Sequence, residues 1–260
     1  MLKYMICLGK NNNDNSRCRP EAKDYLGCRM DHELMTRESW KKLGFDDLDS
    51  PAMADCEPEQ SGGWHILLCC TGSVASLKVP ELAALLQRAP AAGRRAVTIR
   101  VVSTDAARHF FSPSDLPPGV QHYTDADEWS AWRGRGDPVL HIALREWAHL
   151  LLVAPLDANS LAKLATGLCD TLVTCVARAW PLGRRPVLLC PAMNTEMWRH
   201  PVTAPQLETL RSWGCSVQPP VQKTLVCGET GVGAMAHLED IRDTAYRLLE
   251  QWEKGAAGET

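Results

Sequence analysis

The sequence predicts a three-layer α/β fold with a mainly parallel sheet over residues 64–253 of the 260-residue chain. Two observations lead to this prediction. Short apolar runs alternate along the chain with segments in which apolar residues recur at helical spacing. The apolar runs also show no polar face, which is typical of strands that are covered by helices on both sides, as in parallel sheets. One domain of this length can bury a substantial core.

The predicted elements follow one another as strand and helix. Strands are expected at 65–71, 96–103, 149–154, 186–191 and 216–218, and helices at 73–88, 105–111, 125–132, 158–169, 170–180, 201–213 and 238–252. Pro80 favours a late start or a kink in the first helix, because proline has no N–H to donate. The strand at 149–154 is expected to stop at Pro155.

Residues 1–63 are predicted to form a mostly disordered extension, with a transient helix at 33–43. They hold 9 of the 28 basic and 12 of the 31 acidic residues, so they carry the whole net charge of −3. High charge and low hydrophobicity leave little apolar area to offset the entropy of ordering. Residues 254–260 are predicted to form a disordered tail.

Composition excludes several classes of function. No apolar stretch reaches the roughly 18–20 residues of a membrane helix, and the brief apolar start contains Lys3, which makes a poor signal peptide. A pI near 6.2 with only isolated arginine doublets predicts no nucleic-acid partner. The 11 cysteines form no C-x-x-C pair. We therefore expect a cytosolic protein with reduced thiols, without a disulfide framework or a metal site.

Polar side chains follow three of the predicted strands. In open parallel sheets, ligands bind beyond the carboxyl ends of the strands. The three junctions are Thr71-Gly72-Ser73, Ser103-Thr104-Asp105 and Asp157-Ala158-Asn159-Ser160. Each could simply cap a helix, but three hydroxyl-bearing junctions on one edge favour a site for a phosphate or a ribityl chain.

Three further residues are candidates for chemistry. Asn194 ends a buried strand and could bind a carboxylate, although a turn asparagine is an equal alternative. His141 stands among apolar residues, where a structural histidine is the commoner case. Cys227 lies in a glycine-rich segment whose backbone can approach a ligand, with an inert surface thiol as the alternative.

Five motifs in a fixed order resemble the flavin-containing cysteine decarboxylases over about residues 64–250. They are Thr71-Gly72-Ser73-Val74-Ala75, Leu140-His141-Ile142, Ala154-Pro155-Leu156-Asp157-Ala158-Asn159, Pro191-Ala192-Met193-Asn194 and a Cys-Gly segment that ends Gly-Ala-Met-Ala. The resemblance implies a flavodoxin-like Rossmann subunit that assembles as a homotrimer, with FMN at each subunit interface.

The same resemblance implies roles for individual residues. His141 would be the catalytic base, Asn194 the carboxylate anchor, Met197 a pocket residue and Cys227 the proton donor on a flap that covers the substrate. The residues expected to hold FMN are Gly72, Ser73, Thr104, Phe110, Asp157, Ala158, Asn159, Ser160 and Ala192.

The branch of the family that the chain resembles most decarboxylates a small-molecule substrate of coenzyme A biosynthesis. The implied reaction converts 4'-phosphopantothenoylcysteine into 4'-phosphopantetheine. A cysteinyl carboxylate has no electron sink, and FMN-dependent oxidation of the thiol to a thioaldehyde supplies one. Loss of CO2 leaves an enethiol, which is then reduced and protonated.

Three positions depart from the family pattern, namely Glu146, Glu229 and His237, which stand where a second arginine, an aspartate and an acid are usual. Relatives with other functions leave alternatives open. One is a non-catalytic phosphatase-regulatory protein, and another decarboxylates the C-terminal cysteine of a peptide. A flavin prenyl transferase lacks the cysteine flap, and a plain binding module would bind no FMN.

Overall fold

The computed structural model describes residues 18–31, 35, 36, 38, 39, 42, 43, 63–88, 95–132, 137–224 and 230–257. The chain divides into two compact units, Met1–Glu57 and Pro58–Thr260. In the first unit, α1 spans Arg19–Asp31, where the sequence predicted disorder. The described residues within 33–43, where a helix was expected, form none. Pro20 in the first turn, followed by good helix formers such as Ala22 and Leu26, accounts for the position of α1.

The second unit is built on a six-stranded parallel sheet, which confirms the predicted fold class. Its strands are β1 (Trp64–Cys70), β2 (Val97–Ser103), β3 (Gln121–Tyr123), β4 (Leu150–Leu156), β5 (Val187–Pro191) and β6 (Ser216–Val217). Their order in the sheet is β3-β2-β1-β4-β5-β6, and every pair is parallel. The order reverses between β1 and β4, which makes this pair the topological switch point of the Rossmann arrangement.

Helices connect the strands. They are α2 (Val79–Gln87), α3 (Asp125–Ala131), α4 (Leu140–Trp147), α5 (Ala158–Thr166), α6 (Leu172–Ala179), α7 (Thr195–Arg199), α8 (Thr203–Ser212) and α9 (Leu238–Ala257). A 3-10 segment, Val74–Lys78, precedes α2, and Pro80 lies in the first turn of that helix. The late helix start that Pro80 predicted is therefore confirmed. A separate antiparallel hairpin consists of β7 (Val221–Thr224) and β8 (Thr230–Ala234).

Several elements differ from the prediction, and the sequence predicted neither β3, α4 and α7 nor the hairpin β7–β8. The strand expected to stop at Pro155 continues to Leu156, and its pairing with β5 shifts register between Val153 and Leu156. The proline thus interrupts the ladder locally without ending the strand. The helix expected at 105–111 is only a 3-10 turn, Ala107–His109, because so short a segment before Pro113 cannot offset the cost of nucleation. The last helix continues to Ala257, past the predicted boundary at 253.

The two faces of the sheet bury separate apolar clusters. On one face, Leu82 of α2 and Ile241 of α9 lie in a cluster with Ile66 of β1. On the other face, side chains of α4, α5, α6 and α8 cover the sheet, with Leu144 and Val176 fully enclosed. Every residue of β1 and of β4 is buried. The helices therefore cover the sheet on both sides, as the apolar strands predicted.

The described part of the chain bears on two further expectations, namely that the thiols are reduced and that no helix spans a membrane. Cys69, Cys70, Cys169, Cys175, Cys190 and Cys215 are free, whereas Cys18 of the first unit is disulfide-bonded. That bond departs from the expectation of reduced thiols throughout. Among the described residues, no helix has the length and apolar character needed to cross a bilayer.

A stack of rings closes the amino-terminal edge of the sheet. The ring of His65 lies between those of Trp147 and His149, with centroids 4.6 and 4.9 Å away, and Trp252 of α9 stacks on His149 at 5.1 Å. The backbone N–H of His65 donates to Nδ1 of His149 over 3.0 Å. Burial lowers the pKa of His149 from 6.5 to about 4, and the nearby charges of His65, Arg185 and Arg95 act in the same direction.

This stack predicts a loss of stability in mild acid. In the unfolded chain the imidazole of His149 takes up a proton near pH 6.5, but in the folded protein only near pH 4. The free energy of unfolding should therefore fall as the pH drops from about 6.5 towards 4. Urea unfolding at pH 7 and pH 5 measures the change. His149→Asn keeps an acceptor for the N–H of His65, and it should reduce this pH-dependent loss by about 1 kcal/mol, since partial exposure weakens the effect.

The matched control is His109→Asn, which removes an exposed histidine. It should leave the pH dependence of unfolding as it is in the unmodified protein. Equal slopes for His149→Asn and the unmodified protein would show that His149 is not the group responsible.

Candidate functional site

A cavity of about 550 Å³ opens at the carboxyl edge of the sheet, beside the switch point between β1 and β4. Its walls come from the segment after β1, the start of α5, the turn after β5 and the hairpin β7–β8. The volume lies within the range of roughly 300–1,000 Å³ that is usual for small-molecule sites. The cavity lies where the rule for open parallel sheets predicted it.

Thr71 joins the two strands at the switch point. Its side chain is completely buried, its hydroxyl donates to the carbonyl of Pro155 over 3.0 Å, and the same oxygen accepts from the N–H of Asp157 at 2.8 Å. The backbone N–H of Thr71 also donates to the carbonyl of Pro155. The loops that leave β1 and β4 are thereby held against each other at the floor of the cavity.

Gly72 makes the close approach of these loops possible. A Cβ atom at this position would lie 2.8 Å from Cβ of Ala106 and 3.1 Å from Oδ2 of Asp157. The next residue, Ser73, caps the 3-10 segment, and its Oγ accepts from the N–H of Ala75 at 3.4 Å. The first wall of the cavity is therefore a narrow turn with a hydroxyl and backbone donors, next to the start of a helical segment.

The second wall is the first turn of α5. Asp157 is its N-cap, and Oδ1 of Asp157 accepts from the N–H of Ser160 at 2.8 Å. Ala158 and Asn159 line the cavity beside it. Ala192 follows β5 and donates its N–H to the carbonyl of Leu156 over 2.9 Å. This bond keeps the end of β5 next to the end of β4.

Asn194 stands on the third wall with a fixed side chain. It is the N-cap of α7, and its Oδ1 accepts from the N–H of Glu196 at 2.8 Å. That contact fixes the orientation of the side-chain amide, in which Oδ1 is the acceptor and Nδ2 the donor. Met197, one turn later, is half exposed at the rim.

The hairpin β7–β8 closes the cavity from the side of Asn194. Gly233 has a φ of +151°, and a Cβ there would lie 2.3 Å from the carbonyl oxygen of Met193. The Met193 N–H donates to the carbonyl of Gly233 over 2.9 Å. At Gly231 a Cβ would collide with the side chain of Thr195. The hairpin can therefore lie this close only because these positions have no side chain.

The electrostatics of the cavity are simple. Its charged or titratable lining residues among those described are Lys78, Asp157 and His237. Two thiols at the strand ends, Cys70 and Cys190, are fully buried, and burial raises the pKa of each well above its usual range. Both therefore stay protonated and inert.

His141 does not line this cavity. It lies in the first turn of α4, which packs on the face of the sheet that α5 and α6 also cover, and its Nδ1 contacts Oε1 of Glu128. The ring is one quarter exposed. Within this chain, the expected base is therefore separated from Asn194, the expected carboxylate anchor.

The remaining candidates divide into three groups. Gly72, Ser73, Asp157, Ala158, Asn159, Ala192, Asn194 and Met197 line the cavity together. Thr104 and Ser160 lie at the same sheet edge but are buried behind the lining, and Phe110 follows the 3-10 turn after β2 without reaching the cavity. Cys227 and Glu229 lie outside the described residues, so their predicted positions stay predictions.

Several lining residues were not expected from the sequence as site residues. Leu77 and Lys78 belong to the 3-10 segment before α2, and Val221 begins the hairpin. In the sequence Leu77 looks like an ordinary apolar residue. Its 60% exposure to solvent, which marks it as unusual, is visible only in the structure. Val221 reaches the cavity because the hairpin β7–β8 packs against it, and no local sequence pattern predicts that contact.

The fold and the cavity define a class of protein. The sheet is of the Rossmann type, and its switch point carries a narrow glycine turn, helix N-termini and a mainly apolar pocket. Such a site is suited to a cofactor with a phosphate-bearing chain and a flat ring. Ser73 and Asn159 are polar residues of the cavity lining, and Val74, Leu77 and Met193 are apolar ones.

Comparisons with known proteins identify the family. A family model described as Flavoprotein matches residues 55–250. Phosphopantothenoylcysteine decarboxylase of Mus musculus is 50% identical over 194 residues, covering 75% of this chain and 91% of the relative. The enzyme of that name from Oryza sativa subsp. japonica is 45% identical over 184 residues, covering 71% and 80%.

Solved structures show the same relationship. A PPC decarboxylase mutant complexed with pantothenoylaminoethenethiol superposes with a TM-score of 0.68 at 42% identity, covering 72% of this chain and 99% of that one. The FMN binding protein AtHal3 gives 0.65 at 43% identity, covering 72% and 97%. The chain belongs to the flavoprotein family. The resemblance that its motifs indicated is confirmed.

The turn at Gly72 gives a direct test of the cavity as the flavin site. In Gly72→Ala, the added methyl group would press on Ala106 and Asp157 and displace the turn. We expect at least about tenfold weaker flavin binding, measured by titrating the apoprotein with flavin and following fluorescence quenching.

The control is Gly255→Ala, because a Cβ at Gly255 meets no atom within 4 Å. It should bind flavin as the unmodified protein does. Unfolding curves show whether Gly72→Ala remains folded. Unchanged flavin affinity in a folded Gly72→Ala protein would place the flavin elsewhere.

Proposed function

We propose that this protein is a cytosolic FMN-dependent decarboxylase that converts 4'-phosphopantothenoylcysteine into 4'-phosphopantetheine in coenzyme A biosynthesis. The observation that carries the proposal is that the glycine turn at Gly72 and the fixed amide of Asn194 line the same cavity. A cofactor chain and a substrate carboxylate could therefore bind side by side. Relatives named for this reaction are 44–50% identical over most of the chain, which supports the choice of substrate.

The residues that would hold FMN are those of the first two walls. Ser73, the N-terminal turn of α5 from Asp157 to Ser160, and Ala192 offer hydroxyl, amide and backbone donors. Thr104 would support the turn from behind, since its N–H donates to the carbonyl of Cys70 over 3.1 Å. Phe110 lies farther from the cavity. When bound, FMN supplies the two-electron oxidation of the substrate thiol and the later return of these electrons.

The protein's own residues bind the substrate and move its protons. Nδ2 of Asn194 would donate to the carboxylate and hold it until CO2 leaves, without adding a charge that would stabilise the ground state. Met197 would bound the apolar part of the substrate at the rim. Cys227, in the segment between β7 and β8, would give the last proton to the enethiolate carbon as the flap closes over the substrate.

The position of His141 supports an assembled site. The rim of the cavity exposes apolar side chains, with Leu77 60% and Met197 50% open to solvent. Around His141 a different apolar surface is exposed, formed by Trp129, Trp132 and Val139, and Trp129 is 79% open. A second copy that covered the rim with this surface would bring its His141 to the cavity. Contacts between two unlike surfaces repeat from copy to copy and can close into a ring, in keeping with the homotrimer that the family resemblance implies.

Incubation of the purified protein with phosphopantothenoylcysteine tests the function directly. Mass spectrometry should show a product lighter by about 44 Da, the mass of CO2, with a saturated carbon–sulfur skeleton. Unchanged substrate with a yellow, FMN-loaded protein would contradict the proposed substrate, and a peptide with a C-terminal cysteine would then be assayed next. Unchanged substrate with a colourless protein that takes up no FMN would contradict the flavin site as well.

Mixing two inactive variants tests whether neighbouring copies share the site. His141→Gln keeps an intact cavity, and Asn194→Ala keeps an intact histidine. Co-expressed in equal amounts, they should give about a quarter of full activity. Each site needs an intact cavity from one copy and an intact histidine from its neighbour, and each of these is present about half of the time. Each variant alone should be inactive.

A second mixture gives the matched control. The unmodified protein co-expressed with the double variant should also give about a quarter of full activity if sites are shared, but about half if each copy works alone. No activity from the mixture of single variants, together with half activity in the control, would contradict a shared site.

A further inference from the structure

Glu128 is the residue that contacts His141. Its Oε1 lies within hydrogen-bonding distance of Nδ1 of the histidine. The carboxylate side chain is only 11% exposed and the imidazole 26%. The pair joins α3 to α4 across 13 residues of sequence, and in the described part of the chain Nε2 of His141 has no hydrogen-bond partner.

The position of Glu128 is fixed by the start of α3. Thr124 and Asp127 form a capping box, in which Oδ2 of Asp127 accepts from the N–H of Thr124 at 2.7 Å. Oδ1 of Asp125 accepts from the N–H of Leu172 at 2.6 Å, which ties α3 to the first residue of α6. Glu128 follows directly on this turn. Its carboxylate therefore reaches His141 from a helix whose start is fixed by the capping box and by the bond of Asp125 to Leu172.

The chemistry of the pair determines which nitrogen of His141 is free. An ionised carboxylate can only accept hydrogen bonds, so Nδ1 of the histidine must carry the hydrogen and the lone pair must lie on Nε2. We propose that Glu128 is the positioning residue of His141, which fixes this tautomer and leaves Nε2 to take a proton from the substrate. The proton binds at Nε2, the substrate keeps the electron pair, and the imidazolium is stabilised by the carboxylate.

The groups around the pair favour this assignment. Asp125 and Asp127 lie on α3 and Arg145 lies on α4, while Cys175 of α6 is close enough to feel the charges of Glu128, Asp125 and Asp170. Burial, followed by the charge of Glu128, raises the pKa of Cys175 to about 11. The thiol therefore stays protonated, and His141 is the basic partner that the carboxylate contacts.

The inference rests on the proposed function, in which His141 is the base, and Glu128→Gln tests it. In the purified flavin-loaded protein with ¹⁵N-labelled histidine, the imidazole shifts should show hydrogen on Nδ1 of His141. In the variant they should show hydrogen on Nε2 or a mixture, because the amide can also donate. The kcat for phosphopantothenoylcysteine should fall about tenfold to a hundredfold while KM changes less than about threefold.

The matched control is Glu208→Gln, which makes the same chemical change on an exposed residue of α8. It should alter neither the tautomer nor kcat. If Glu128→Gln keeps both the tautomer and kcat while His141→Gln is inactive, the role of Glu128 is wrong and the proposed function stands. If His141→Gln itself retains full activity, the assignment of the base fails and the inference fails with it.

Discussion

The buried hydroxyl of Thr71 connects the two strands between which the order of the sheet reverses. It donates to the carbonyl of Pro155 and accepts from the N–H of Asp157, so it both donates and accepts a hydrogen bond in a place that water cannot reach. Leaving such a group unpaired would cost roughly 1–3 kcal/mol. The glycine turn at Gly72 and the cap of α5 both begin at this contact. The first two walls of the cavity therefore depend on one side chain.

The sheet also separates the residues that are proposed to carry the chemistry. Its carboxyl edge carries the cavity with Asn194, and one of its faces carries α3 and α4 with Glu128 and His141. A rigid, fully covered sheet cannot bend to bring these parts together within one copy. The proposed site shared between copies would reconcile this geometry with a base and a carboxylate anchor. It would also link activity to assembly, because a separated subunit would lack one of its parts.

The success of the sequence prediction differs from element to element for physical reasons. Apolar strands and the junctions at Ser73 and Asp157 were predictable, because period and capping chemistry are local. The strand through Pro155 and the short turn at Ala107–His109 were not, because neighbouring strands and a following proline decided them. The Arg19–Asp31 helix was not predicted because its pattern is hardly amphipathic, although it contains good helix formers such as Ala22 and Leu26.

The sequence by itself determined the fold class, the family and the residue types that meet at the cavity. These follow from apolar periodicity and from ordered motifs, which are properties of neighbours along the chain. Only the tertiary structure decided that Leu77 and the hairpin enclose the cavity, that His141 lies away from it, and that Glu128 holds the histidine. Contacts of this kind join residues far apart in sequence, and their formation depends on how helices pack against a shared sheet rather than on any local pattern.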